Sequence, residues 1–490
     1  MSFPRIVSCF FAGLVLAWLS VSARAAGLPA AFTDALNQAG IPLGRVAVVV
    51  QPLDATVPVL AHNADAALNP ASVMKLVTSF AAIHQLGPGY VWTTDVWAAG
   101  EIADGVLDGD LVIKGHGDPT LTLERIWLLQ RELRARGVRH IRGNLVLDVS
   151  HFDLPPIDPG AFDGEPFALY NAAPGALVAN FNATTLRLKP DADEVLIVPD
   201  IALPGVTLTS RLALTDQADC NDWRGTMTPA FPDPERYELV VTGNYARSCG
   251  ERAWSLSLFE PAATFDFIFR GLWAESGGTL SGATVPGAAP QSEPLLRFPS
   301  ETLTEALVRL NKHSNNLMTR NLFLTLGVER EGGAATLEKG ARAVRDALAQ
   351  RGISTRKLVL ENGAGLSRIE RISAEALNQL LHAAYHSPLF AEFQSSLPIV
   401  AIDGTLKRRF SGSALSGNAH LKTGTLRDVS ALAGYVYTAH GQRVSFVMLV
   451  NHPNAGRSEA AQRALLEWVH VTPHGIQPVV DQVPVGEGVR

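Results

Sequence analysis

Cysteine is nearly absent from this 490-residue chain, which holds only Cys9, Cys220 and Cys249. That excludes a disulfide-stapled miniature scaffold and a cysteine-rich zinc module, because both need several thiols at short spacing. An excess of positive charge is missing as well. Lys plus Arg number 41 against 47 for Asp plus Glu, a net charge of −6, which argues against a nucleic-acid binder driven by overall charge and leaves only a local basic patch open. Charged residues make up just 18% and apolar residues 47%, so the bulk signature of disorder is lacking and material for hydrophobic cores is ample. The 13 histidines are scattered without a ligand cluster, and no metal site is expected from them or from the cysteines. No internal repeat is evident, and the length predicts about three domains at roughly 150 residues each.

Long apolar runs are lacking, with one exception. Residues 6–21 carry no charge, follow Arg5 and precede Ala23-Arg24-Ala25, the three-part pattern of a secretory signal peptide cleaved after Ala25. An uncleaved anchor is the competing reading, since about 16 apolar residues approach the shortest spanning length. Residues 1–25 are read as the signal. Cys9 then leaves with it, and the mature chain is expected to be exported, with no membrane span. The remaining pair, Cys220 and Cys249, predicts one disulfide in an oxidising compartment, with two free buried thiols as the alternative.

Residues 44–53, with a Val-Ala-Val-Val-Val centre, read as a buried strand and residues 57–61 as its hairpin partner. Asn69 can cap and Pro70 can sit in the first turn of a helix that starts just before Ser72 and runs to about residue 86. From about residue 91 to 299 the texture changes to short β-like runs, among them 145–149, 184–189 and 237–242, separated by Pro, Gly, Asp and Asn. Helical periodicity returns at 303–310, 317–326, 335–351 and 374–385. Two strands, 430–437 and 443–450, and a last helix, 459–470, follow. Residues 26–92 and 299–473 are therefore expected to join into one α/β domain, with β-rich modules in residues 93–298, one nested in another, and a mobile tail at 474–490.

Three segments carry chemistry. Ser72 and Lys75 are three apart at the start of a predicted helix, so their side chains share a face and the amine can reach the hydroxyl. A serine is a weak nucleophile until a neighbouring base takes its proton, and a desolvated lysine can do so. Alone, this pair reads as an exposed helical turn. Ser314-Asn315-Asn316 adds a second hydroxyl and an amide, suited to relaying a proton and holding a carbonyl. Lys422-Thr423-Gly424-Thr425, read as opening the strand that ends at Gly434-Tyr435, adds positive charge, hydroxyls for a carboxylate, and a glycine that permits close backbone approach.

In this order the segments form the S-x-x-K, S-x-N and K-T-G set of penicillin-binding proteins and β-lactamases. Ser72 and Ser314 lie 242 positions apart, far more than β-lactamases place between these motifs. The chain resembles the D-alanyl-D-alanine carboxypeptidase/endopeptidase family of low-molecular-mass class C penicillin-binding proteins, peptidase family S13, which carries β-rich domains in that gap. Gly117-Asp118-Pro119-Thr120-Leu121, residues 147–153, the run from Ala173 through Asn182 and residues 396–406 resemble further segments of that family, so the likeness covers about residues 30 to 470. The family often reads D-G-S-G-L-S-R where this chain has Asn362-Gly363-Ala364-Gly365-Leu366-Ser367-Arg368; a serine hydroxyl is missing and Arg368 is kept.

The resemblance implies an α/β fold in which a serine β-lactamase/transpeptidase-like domain, an antiparallel sheet flanked by helices, receives inserted β-rich domains between the first and second motifs. It implies a periplasmic serine carboxypeptidase or D,D-endopeptidase acting on peptidoglycan stem peptides, with β-lactams as covalent inhibitors and no cofactor. Ser72 is the expected nucleophile, Lys75 the base, and Ser314 the bridge between Lys75 and Lys422. Asn316 orients the substrate amide, the N–H groups of Ser72 and Thr425 form the oxyanion hole, and Lys422, Thr423 and Thr425 hold the terminal carboxylate beside Gly424, with Arg368 at the substrate. Family members use an acidic residue of the inserted region for the stem peptide's amino group; Asp163 and Glu165 lie in that neighbourhood. A homo-oligomer is left open. The rivals are a β-lactamase, for which Glu375-Ala376-Leu377-Asn378 is one residue short of the deacylating E-x-x-L-N segment, and a non-catalytic cell-wall scaffold.

Overall fold

The computed structural model describes residues 27–216, 220–233 and 237–472; the expected signal segment 1–25 and tail 474–490 lie outside them. All seven residues of the strand Val46–Pro52 are buried, as a continuous apolar run requires when both faces of a sheet are covered. It pairs antiparallel with Arg443–Asn451, placing Val48 opposite Met448, and with Leu60–His62, placing Val50 opposite Leu60. The full sheet runs Ala419–Leu426, Val429–Tyr437, Arg443–Asn451, Val46–Pro52, Leu60–His62. Segments near the two ends of the chain thus close one sheet.

The two-residue period of a strand sorts its side chains into two cores. Ala47, Val49, Ala433, Val447 and Leu449 pack with the helix Met74–Gln85 and with Leu303–Lys312, Asn316–Glu331, Leu337–Ala349 and Ala374–Tyr385. Val46, Val48, Val50, Leu432 and Met448 face the helices Ala30–Gln38 and Glu459–Val471. Each fully buried valine or leucine contributes about 1.5–3 kcal/mol relative to exposure, so this double layer is the rigid frame on which the motifs sit.

Two strand readings need correction. The hairpin partner is Leu60–His62, later than the expected 57–61, because the register pairs Leu60 with Val50. Lys422 does not open the strand ending at Tyr435; it lies inside a separate strand, Ala419–Leu426, which turns at Arg427-Asp428 into Val429–Tyr437.

Between the two halves of this sheet, in sequence, lie a seven-stranded sheet built from Val91–Ala103 through Leu296–Thr302 and two three-stranded sheets drawn from Thr184–Pro190 to Arg252–Leu256. The region is not all β. Helices Leu123–Ala135 and Pro261–Glu275 bury Ile126, Leu129, Leu133, Phe265, Phe269 and Trp273 against the seven-stranded sheet. Cys220 and Cys249 form the expected disulfide, with Cα atoms 5.5 Å apart, at the edge of the core shared by the small sheets. Among the described residues no helix is long and apolar enough to cross a membrane.

Candidate active site

Ser72 sits in a single 3-10 turn, Ala71–Val73, that leads directly into the helix Met74–Gln85. Ala71 holds φ +45°, a left-handed conformation that costs a non-glycine residue about 1–3 kcal/mol unless its surroundings enforce it. Asn69 enforces it. Its Oδ1 accepts from Ala71 N at 2.8 Å and its Nδ2 donates to Ser367 O at 2.8 Å. Asn451 clamps the Asn69 backbone from the other side, accepting from its N–H and donating to its carbonyl. The turn that carries Ser72 is thereby tied to the Ser367 loop and to the central sheet.

Lys75 is fully buried and donates to three acceptors: Ser72 Oγ at 3.0 Å, Asn316 Oδ1 at 2.6 Å and Ala364 O at 2.5 Å. The Asn316 amide can present only its oxygen to Lys75, because its Nδ2 donates to Tyr170 O at 2.9 Å. Asn316 reaches this point as the first residue of the helix Asn316–Glu331, which Asn315 caps by accepting from Met318 N. Burial, with Lys422 and Arg320 nearby, holds the Lys75 amine well below its ordinary range, and Glu370 opposes that shift. A neutral amine has two N–H groups and one lone pair. Asn316 Oδ1 and Ala364 O, which can only accept, take both N–H groups and leave the lone pair aimed at the Ser72 hydroxyl.

Ser314 lies between two helices at φ +56° and accepts from Lys422 Nζ at 2.8 Å; the same ammonium donates to Thr423 O. Burial pushes the Lys422 amine down to about 7. The expected bridge from Ser314 on to Lys75 is not present among the hydrogen bonds of the described residues, since Ser72, Asn316 and Ala364 already occupy the Lys75 amine. Thr423 Oγ1 is 2.9 Å from Thr405 Oγ1, and Gly424 lets its strand lie against the Ser72 turn: a Cβ there would sit 2.4 Å from Pro70 O and 3.1 Å from Ser72 N.

These residues open on a cleft of about 470 Å³ lined by Ser72, Ser314, Asn316, Thr425, Arg368 and the inserted residues Phe162, Asp163 and Tyr170. The Arg368 guanidinium lies 4.1 Å from the centre of the Phe162 ring and 3.7 Å from Asp428 Oδ1. Of the two acidic candidates, Asp163 lines the cleft, held by Tyr170 Oη at 2.8 Å and Asn171 Nδ2 at 2.9 Å, and Glu165 does not. Burial and Asp163 push the Tyr170 phenol up to about 12, so it remains a donor. The segment weighed as a deacylating motif lies elsewhere: Asn378 is buried, donating to Gln51 Oε1 and accepting from Ser445 Oγ.

The structure thus lines one cleft with Ser72, Ser314, Asn316, Thr425 and Arg368, with buried Lys75 and Lys422 hydrogen-bonded to Ser72 and Ser314 behind it and Gly424 against the Ser72 turn; Thr423 is not among the lining residues. Ala364, Glu370, Asn69, Asn451 and Thr405 act at the site without having been named for it. Ala364 contributes a backbone carbonyl, which no residue type announces, and so the missing serine hydroxyl in this loop leaves the lysine contact intact. Among the described residues no cluster of three or more His, Cys, Asp or Glu could hold a metal ion.

Residues 28–470 match the profile described as the D-Ala-D-Ala carboxypeptidase 3 (S13) family. The chain is similar to the D-alanyl-D-alanine carboxypeptidase of Actinomadura sp. strain R39, 32% identical over 413 residues that span 80% of this chain and 75% of the relative. It is also similar to the D-alanyl-D-alanine carboxypeptidase DacB of Haemophilus influenzae, 27% identical over 403 residues, 81% of this chain and 84% of the relative. The crystal structure of penicillin binding protein 4 (dacB) from Haemophilus influenzae shares the fold at a TM-score of 0.76 and 24% identity, covering 90% of this chain and 99% of that one.

Proposed function

The chain belongs to the D-Ala-D-Ala carboxypeptidase 3 (S13) family, and from that membership we propose that it is a serine carboxypeptidase and D,D-endopeptidase of peptidoglycan stem peptides, working in the periplasm through a Ser72 acyl-enzyme. The observation that carries the reading is the Lys75 amine, buried, lowered in basicity and 3.0 Å from Ser72 Oγ, which sets a base beside a weak nucleophile.

In this mechanism Ser72 Oγ attacks the carbonyl between the two D-alanines as Lys75 takes its proton. The N–H groups of Ser72 and Thr425 receive the oxyanion, an interaction worth about 3–4 kcal/mol per donor. Lys422, with Thr423 and Thr425, holds the terminal carboxylate, and Asn316 orients the substrate amide. Ser314 passes its proton to the leaving amine as the C–N bond breaks and is reprotonated by Lys422, its hydrogen-bond donor. Water then attacks the ester, giving its proton to the Lys422 amine, and Lys75 returns a proton to Ser72 Oγ as the acyl C–O bond breaks and the shortened peptide leaves. Asp163 and Arg368, both lining the cleft, are suited to an ammonium and a carboxylate of the stem peptide.

The test is D-alanine release from an N-acylated pentapeptide ending in D-Ala-D-Ala, alongside cleavage of a cross-linked dimer. The mature protein is expected to cleave both, Lys75→Met neither, and Asp163→Asn to lose preference for stems with a free side-chain amine. Folded wild-type protein that cleaves neither would overturn the proposal.

A further inference from the structure

Ala364 O is one of the two acceptors that aim the Lys75 lone pair, and nothing in its own side chain places it. Glu370 does. Glu370 has no solvent exposure, and its Oε1 accepts from the backbone N–H groups of Glu361, Asn362 and Gly363 at 2.8–3.0 Å, while Oε2 accepts from Gly365 N at 2.9 Å. The carboxylate therefore grips the loop on both sides of Ala364. Its own backbone N–H is held by Ser367 Oγ at 2.9 Å, and Ser367 O is the acceptor of Asn69, the residue that shapes the nucleophile's turn.

Burial raises the Glu370 carboxyl above its ordinary range, and the four N–H donors oppose that rise. The donors decide the form. A protonated carboxyl needs an acceptor for its O–H, and all four neighbours are N–H groups, so the ionised form is the one the pocket satisfies. The charge also reaches the base: the charged groups that act on Lys75 are Lys422 and Arg320, which favour the neutral amine, and Glu370, which favours the ammonium. Arg320 in turn feels Glu370 and Glu361.

We infer that Glu370 is a positioning residue for the acylation step: its buried carboxylate fixes the 361–365 loop so that Ala364 O takes one N–H of Lys75 and directs the lone pair at Ser72. This rests on the reading of Ser72 and Lys75 as nucleophile and base.

The experiment is stopped-flow acylation by benzylpenicillin across pH, comparing wild type with Glu370→Gln and Glu370→Asp. Glu370→Gln keeps the shape, loses the charge and turns a donor toward donors. Its acylation rate constant is expected to fall at least 30-fold with noncovalent binding changed by less than 3-fold. Its acid limb is expected to move to lower pH, because the charge that held the proton on Lys75 is gone. Glu370→Asp keeps the charge but is one methylene short, so it is expected to restore the limb and not the rate. A merely structural role would lower the folded fraction, read by thermal melting, without moving the limb. Wild-type rate and limb in Glu370→Gln would overturn the inference; if that variant does not fold, a wild-type rate in Glu370→Asp would. Wild type that forms no Ser72 adduct would instead sink the underlying reading.

Discussion

Lys75 Nζ and Asn316 Oδ1 lie 2.6 Å apart across 241 positions of sequence. Asn316→Leu, close in size, removes that acceptor and also the bond to Tyr170 O. The loss of a strong buried hydrogen bond is worth about 1.5–3 kcal/mol, or about 10- to 150-fold in rate. kcat/KM for D-alanine release is expected to fall about 100-fold with the protein still folded. A fall below 3-fold would mean that Lys75 does not need this partner.

Gly365 lies at φ +80°, where a Cβ would stand 1.9 Å from Ala71 O, in the turn that carries Ser72. Gly365→Ala is expected to displace that turn and lower acylation at least 100-fold, with overpacking costing about 1–3 kcal/mol of stability. Gly352, at φ +70° with nothing within 4 Å, supplies the control. Gly352→Ala carries the backbone penalty of about 1 kcal/mol and should leave acylation unchanged. Equal acylation in both variants would show that the close approach of the loop is dispensable.

Lys422 loses its charge as pH rises through about 7. If that charge holds the substrate carboxylate, kcat/KM should decline on the alkaline side near that pH, because kcat/KM reports the free enzyme. A bound carboxylate favours the ammonium, so the corresponding limb of kcat should lie higher. A kcat/KM profile flat to pH 9 would remove Lys422 from carboxylate binding.

The disulfide closes a loop whose ends are 29 positions apart. The double substitution Cys220→Ser, Cys249→Ser should lower stability against urea by about 3 kcal/mol and leave the acylation rate constant unchanged, since the cleft is lined from other segments. An unchanged denaturation midpoint would show that the bond constrains little.

What the sequence disclosed divides along physical lines. The strand Val46–Pro52, the pair Val429–Tyr437 and Arg443–Asn451 and the helices after residue 303 were legible because their apolar periods match two or 3.6 residues and both faces are covered. The strand holding Lys422 was not separated from its neighbour, because its two-residue turn, Arg427-Asp428, lacks the glycine or asparagine that usually marks a tight hairpin. The helices Leu123–Ala135 and Pro261–Glu275 were masked by the Pro- and Gly-rich runs around them. At the site, the grouping of Ser72, Lys75, Ser314, Asn316 and Lys422 was legible because it is made by side chains. The contribution of Ala364 is a main-chain oxygen, and that of Glu370 is to four main-chain N–H groups, so both emerge only from the folded loop.

The central claim, acyl transfer to Ser72, is tested most directly by intact mass. The mature protein is mixed with benzylpenicillin and followed over hours beside Ser72→Ala. The account predicts one persistent covalent adduct on the wild type and none on the variant. An adduct that survives in Ser72→Ala, or folded wild type that forms none, would contradict it.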